Sequence, residues 1–196
     1  MKKIFAVLLL LFFSACEKDI NSSYFPSEKI PTQILLQNKN FEPAGIAIPI
    51  YKDIFATSNS VFKKDEKFFW QKEEAEIMIR DFSTDLIFFE LGNNVFFPTK
   101  LSDTPPAVGE ILFRFADGEI LESKILSMAD DTDKFTAFGE MNAQKDLGAP
   151  IFDKSGKIYG IFIGGNTENS TLVFLRSDKI LELFKEGFNV SNTKSI

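Results

Sequence analysis

The 196-residue chain contains no histidine. That removes the side chain which most often moves protons near neutral pH and the commonest metal ligand. It has one cysteine, Cys16, so no disulfide can form within the chain and the fold must rest on its core. Zinc and haem sites are disfavoured by the same two shortages. Positive charge is also scarce: 22 Lys and Arg stand against 28 Asp and Glu, a formal net charge of −6. An acidic surface of this kind argues against electrostatic binding of nucleic acid or of anionic lipid headgroups, which depends on Lys and Arg meeting phosphate. No glycine-rich phosphate loop is present, and no apolar run reaches the roughly 20 residues that a membrane-spanning helix needs. No cofactor, metal or nucleic acid is therefore expected.

What the chain has in quantity is phenylalanine, 23 of its 27 aromatic residues. Side chains of that size bury a large area each and suit a dense core. The N-terminus is the most specific local signal. "MKK" is a positive leader, "IFAVLLLLFF" a ten-residue apolar stretch and "SAC" a small-residue cleavage site. Ten residues rise only about 15 Å as a helix, too short for a permanent span. "FFSAC" resembles the bacterial lipobox, which implies removal of residues 1–15, diacylglycerol on Cys16 and attachment to a membrane through that lipid. The alternative is a plain secretory leader with an incidental cysteine. Loss of Lys2 and Lys3 with the leader would take the net charge to −8. Glu17 differs from the aspartate that resembles an inner-membrane retention signal, which favours the outer membrane or cell surface of the bacterial envelope.

Residues 16–31, with "EKDINSSYFPSEKIP" after the cysteine, read as a tether, and residues 32–196 as one domain. Short apolar or alternating runs bounded by turn residues follow one another, the pattern of an all-β barrel or sandwich. Asp117-Gly118 and Gly156 mark two hairpin turns. Only "SDKILELFKEGF" is helical, with Ser177 as N-cap, Ile180, Leu181, Leu183, Phe184 and Phe188 on one face, and Gly187 near its end. It is expected to close the strands as a C-terminal lid.

Three separated segments then resemble the chymotrypsin/trypsin-like serine proteases, especially their bacterial high-temperature-requirement branch. "DIFATSNSVFK" is similar to the histidine loop and places Ser60, or by a one-residue shift Asn59, at the histidine position. "TDLIFFEL" is similar to the aspartate strand and matches Asp85 to the catalytic aspartate. "KDLGAPIFDKSGKIYGI" resembles the nucleophile loop and its hairpin, with Leu147 at the serine and Asp146, Gly148 and Pro150 retained. "KLSDTPPAVGEILFRFA" and "TLVFLRSDKILELF" resemble the passage between barrels and the last strand with its helix. The resemblance covers roughly residues 41 to 186 and implies a trypsin-like double β-barrel with a C-terminal helix.

It also implies lost chemistry. A serine hydrolase needs a hydroxyl nucleophile, an imidazole and donors for the oxyanion, whereas Leu147 offers no nucleophile and Ser60 no base. Lys145 and Ala149 replace glycines that let the family's loop aim its amides. Asp85 is left either hydrogen-bonded to Ser60 or, as an aspartate at a strand start, satisfying nearby backbone amides. The expectation is a non-enzyme that binds a peptide or protein partner in the inter-barrel cleft. A non-triad hydrolase built on Asp85 and a structural envelope lipoprotein are the alternatives. Asp130, Asp131 and Asp133 in "ADDTDKF" lack the glycine and glutamate of a calcium loop and read as a solvated turn. Phe68, Phe69 and Trp70 read as core aromatics rather than an exposed binding patch.

Overall fold

The computed structural model describes residues 27–62, 67–92, 96–116, 119–128, 133–140 and 145–188. The leader, Cys16, Asp117-Gly118, Asp130 and Asp131 lie outside them. Thirteen strands are described: β1 (Ile34–Gln37), β2 (Pro43–Tyr51), β3 (Ile54–Ser58), β4 (Phe69–Trp70), β5 (Glu73–Glu74), β6 (Glu76–Asp81) and β7 (Leu86–Glu90), then β8 (Ile111–Ala116), β9 (Glu119–Met128), β10 (Lys134–Phe138), β11 (Pro150–Phe152), β12 (Ile158–Asn166) and β13 (Thr171–Arg176). One helix, α1 (Ser177–Gly187), follows. Among the described residues no helix is long and apolar enough to cross a membrane.

The second half closes into a six-stranded antiparallel barrel in the order β10-β13-β12-β11-β8-β9. The first half is a seven-stranded sheet, β5-β4-β1-β2-β3-β7-β6, whose outer strands do not pair. Those outer strands are consecutive in the chain on either side of Ala75, so covalent continuity brings its ends together. The all-β architecture with one terminal helix follows the expected layout, but only one of its two halves is closed by hydrogen bonds.

Strand burial explains why the central runs are continuously apolar. In β2 every residue from Ile46 to Ile50 is buried, because the strand has a core on each face. Ile48 and Ile50 join Leu86 and Phe88 of β7 in a core shared with Phe113, Phe152, Ile158 and Ile161 of the barrel and Ile180 and Phe184 of α1. Ala47 faces the other way, into the interior of the first sheet with Phe55, Phe62, Phe68 and Phe89. A third core fills the barrel around Ile125, Phe135, Phe162, Leu172 and Phe174. The helix therefore seals the seam between the two halves, with one apolar face toward both. Phe68 is buried, Trp70 packs edge-on against Phe96 at 5.1 Å, and Phe69 lies against the exposed Phe41.

Local signals divide in the same way. Gly156 adopts φ +82° in the turn before β12, as its left-handed reading requires. β8 and β9 pair as far as Ala116 and Glu119, leaving two residues for their connection. Ser177 is not the N-cap: Arg176 holds that place without a side-chain cap, and the buried Ser177 hydroxyl donates to the Ser102 carbonyl at 2.7 Å. Ahead of β1, Ser27–Lys29 form a 3₁₀ turn and Ile30 packs on the seam core.

Phe174 stacks on Phe135 at 5.2 Å and meets Phe162 at 5.7 Å in the barrel core. Phe174→Ala is expected to lower the unfolding free energy by about 3–5 kcal/mol in urea titration. Phe82, 73% exposed, should give way to Ala within about 0.5 kcal/mol.

Candidate functional site at the seam

β3 ends in Ser58, and residues Asn59–Val61 turn away from it in a single 3₁₀ turn. The Ser58 hydroxyl accepts from the Ser60 amide at 3.1 Å, which caps the turn. The same hydroxyl donates to Asp85 Oδ2 at 2.5 Å, while the Ser60 hydroxyl donates to Asp85 Oδ1 at 3.0 Å. The Asp85 carbonyl accepts from the Asn59 amide at 2.8 Å. Asp85 has φ +62°, a left-handed conformation that aspartate tolerates better than most residues and that sets its carboxylate beside β3. Of the two candidates for the histidine position, Ser60 brings its side chain to Asp85; Asn59 Oδ1 is buried without a hydrogen-bond partner. The aspartate is thus held by two serine hydroxyls rather than by backbone amides at its carboxylate. Ser58 went unread in the sequence because nothing local distinguishes it from the threonine and asparagine around it.

Leu147 sits where the two halves meet. Its carbonyl accepts from the Ile46 amide of β2 at 2.7 Å, and the following Gly148 amide donates to the Phe162 carbonyl of β12 at 2.7 Å. Gly148 has φ +82°, and a Cβ there would lie 1.9 Å from the Ile46 carbonyl oxygen and 2.2 Å from Thr57 Oγ1. Only glycine fits. The Leu147 side chain is half-buried and packs against both the core of the first sheet, which includes Val61 next to Ser60, and the core of the barrel. Gly45 of β2 lies between them: a Cβ there would fall 2.5 Å from Val61 Cγ2 and 3.1 Å from the Leu147 carbonyl oxygen. Ser60 and Asp85 thus meet directly, and Leu147 approaches them through Gly45 and Val61.

The loop leading into Leu147 is anchored from inside the barrel. Arg114 of β8 is wholly buried, and its guanidinium donates to Asp146 Oδ2 at 3.4 Å, to Ser123 Oγ at 3.3 Å and to the Glu140 carbonyl. Burial lowers its proton affinity from the usual arginine range, with Asp146 and Glu140 opposing that shift. Arginine stays charged under such conditions, so it fixes Asp146 as a cation. The signal available in the sequence was a cation inside the apolar run "ILFRFA", on the same alternate face as Leu112.

A groove next to the loop that leads into Leu147 has a volume of about 360 Å³. Ile34, Leu35, Pro43, Ile46 and Phe115 form the apolar part of its lining, and Gln33, Lys145 and Asp146 the polar part. Asp133, the described member of the acidic turn, lies 3.8 Å from the Lys179 ammonium, and its carbonyl accepts from the Arg176 amide. Among the described residues no group of three or more metal-ligating side chains is placed to hold a cation. Chemically, two hydroxyls donating to the two oxygens of one carboxylate hold one another in place.

The class this fold defines is the trypsin-like serine protease architecture. The chain is similar to the Rv3671c protease of M. tuberculosis in its active form (TM-score 0.68, 16% identity, covering 91% of this chain and 89% of that one) and in its inactive form (TM-score 0.66, 17% identity, 85% and 95%). It is likewise similar to a serine endoprotease from Yersinia pestis (TM-score 0.67, 12% identity, 82% and 64%). No family model matches the chain, and no curated protein sequence does. At these identities the likeness is one of fold.

Arg114→Met would leave Asp146 buried without its cation. The expected loss is about 3–5 kcal/mol of unfolding free energy, the range for breaking a buried ion pair from one side. Adding Asp146→Asn should recover part of it in the same urea titration. A double variant as unstable as the sum of the two singles would mean that the pair is not coupled.

Proposed function

We propose that the chain is an exported bacterial lipoprotein, anchored in the cell envelope through Cys16, that holds an extended peptide or protein segment in the seam without cleaving it. Supporting the non-catalytic half of this reading, the whole sequence lacks histidine and Leu147 stands in the nucleophile loop. The observation that carries the binding half is an open strand edge. β11 accompanies β12 only along Ile158–Ile161, and the Gly148–Ala149 backbone then bonds Phe162. From Gly164 to Asn166, β13 pairs with β12 on one side, and no described strand lies on the other. A Cβ built on Gly164 meets no described atom within 4 Å, so the sheet face above this stretch also has room for the side chains of a segment laid beside it. An extended segment can add itself there by backbone hydrogen bonds, with side chains selecting the sequence. Leu147 and the groove beyond it offer an apolar wall for those side chains.

Two measurements on the full chain test this. Peptide and ester hydrolysis should stay at background, and Leu147→Ser should not restore it, since no imidazole is available to take the proton. Hydrolysis that Asp85→Asn abolishes would instead establish the carboxylate-based hydrolase. For binding, peptides selected from a displayed library should slow hydrogen exchange at Ile163–Asn166. Protection confined to surfaces away from β12 and Leu147 would overturn the cleft as the binding site.

A further inference from the structure

The chain enters the domain at one pole. A Cβ on Gly156 would lie 2.5 Å from the Lys29 carbonyl oxygen, so the entering segment is pressed against the turn before β12. Beside it, the crossing segment between the two halves runs along the end of β2: the Phe96 amide donates to the Lys52 carbonyl and the Thr99 amide to the Pro49 carbonyl, each at 3.0 Å. Between those two bonds Phe97 and Pro98 stand out from the surface. Phe97 is 91% exposed, the most exposed large apolar side chain among the described residues, and Tyr51 at the neighbouring hairpin is 39% exposed. A shallow groove of about 190 Å³ joins the entering segment to Phe97 and Lys100.

Charge on this pole differs from the acidic whole. Lys29, Lys52, Lys100 and Lys154 are exposed. Of the nearby acids, Asp153 is engaged by Ser155 and the Lys157 amide, the exposed Asp103 lies 3.7 Å from the Lys157 ammonium, Asp53 next to Lys52 is half-buried, and Glu28 is exposed. An exposed aromatic pair ringed by lysines, at the point where an anchor segment enters, matches a headgroup surface: apolar rings enter the acyl boundary and ammonium groups lie among phosphates.

We infer that this face docks on the membrane, with Phe97 inserted, Tyr51 at headgroup level and Lys29, Lys52 and Lys100 among the lipid phosphates. The inference rests on the lipid-anchored reading of Cys16. Cys16 and Ser27 are eleven residues apart, at most about 40 Å of chain at full extension. A lipid on Cys16 therefore keeps this pole within reach of the bilayer and makes docking intramolecular, so a weak contact suffices.

The test uses the full lipidated chain. Its only native thiol is acylated in this reading, so Phe97→Cys and, separately, Phe82→Cys each provide a unique site for an environment-sensitive fluorophore. Phe82 is an equally simple exposed control in the turn at the other end of β7. In vesicles of phosphatidylethanolamine and phosphatidylglycerol, a label at 97 should shift its emission to the blue and be quenched by brominated acyl chains, while a label at 82 should show neither. Intact mass establishes acylation first. An acylated protein whose label at 97 behaves like that at 82, quenched or not, overturns the docking face and leaves the anchor standing. A chain without lipid on Cys16 overturns both.

Discussion

Two-sided burial of β2 and β7 is the constraint on which the rest of the molecule depends. Each strand belongs to the first sheet, yet each also forms part of the wall against which the barrel and helix pack. In β2 the large residues Ile46, Ile48 and Ile50 point toward the barrel side, while Gly45, Ala47 and Pro49 take the opposite face. The small face is needed because Phe55, Phe62, Phe68 and Phe89 already fill the sheet interior. In β7, Leu86 and Phe88 serve the seam, while Ile87 and Phe89 serve the sheet. A polar residue on either face would lose burial in one core or the other, since neither face meets water. The same seam core recruits α1, whose Phe184 meets Phe88 at 5.7 Å.

Backbone groups, more than side chains, place the candidate site on this seam. The Leu147 carbonyl is held by β2 and the Gly148 amide by β12, and the Thr57 hydroxyl donates to the Ile46 carbonyl at 2.6 Å beside the glycine. None of these bonds involves the side chain at 147. The loop can therefore keep its course while that side chain changes, provided Gly148 remains a glycine and Arg114 holds Asp146. Leucine at this point gains apolar contact with two cores, where a hydroxyl in the same half-buried place would need a partner. A frame set by its backbone, independent of the side chain it presents, lets one fold carry unlike functions.

Much of the fold was legible because its causes are local. Two-sided burial wrote itself into continuous runs such as "GIAIPIY" and "TDLIFFEL"; the left-handed turn demanded Gly156; and α1 repeats its apolar residues with helical spacing. Ser60 and Asp85 were legible through motif order, and their hydrogen bond was one of the two readings of Asp85; the second hydroxyl, from Ser58, was not read. What was illegible depends on distant partners. Arg114 is buried because Asp146 and the Glu140 carbonyl come to it from another loop, and nothing within "EILFRFA" announces that. Ser177 has the identity of a cap, but its hydroxyl is claimed by Ser102, far away in the sequence. The pairing of Ser58 with Asp85 depends on β3 and β7 being neighbours, and the open first sheet on β5 and β6 having no hydrogen-bonded partner in each other. Each is a tertiary override of a local preference.

The course of β12 relates the two proposed surfaces to one another. At its first residue, Ile158, the amide bonds the Lys100 carbonyl and the carbonyl accepts from Ser102, while Gly156 just before it presses on Lys29. At its far end, Gly164–Asn166 present the open edge beside the loop of Leu147. Nine residues of strand at about 3.4 Å each separate these ends by roughly 27 Å. If the pole of Lys29 and Phe97 lies on the bilayer, the edge is carried to the side away from it, clear of headgroups and open to a partner arriving from solution. The strand that closes the barrel then acts as a spacer as well. A binder whose edge lay at the entry pole would have to exclude lipid from its own cleft, and the placement of tether and edge at opposite ends of one rigid strand removes that conflict.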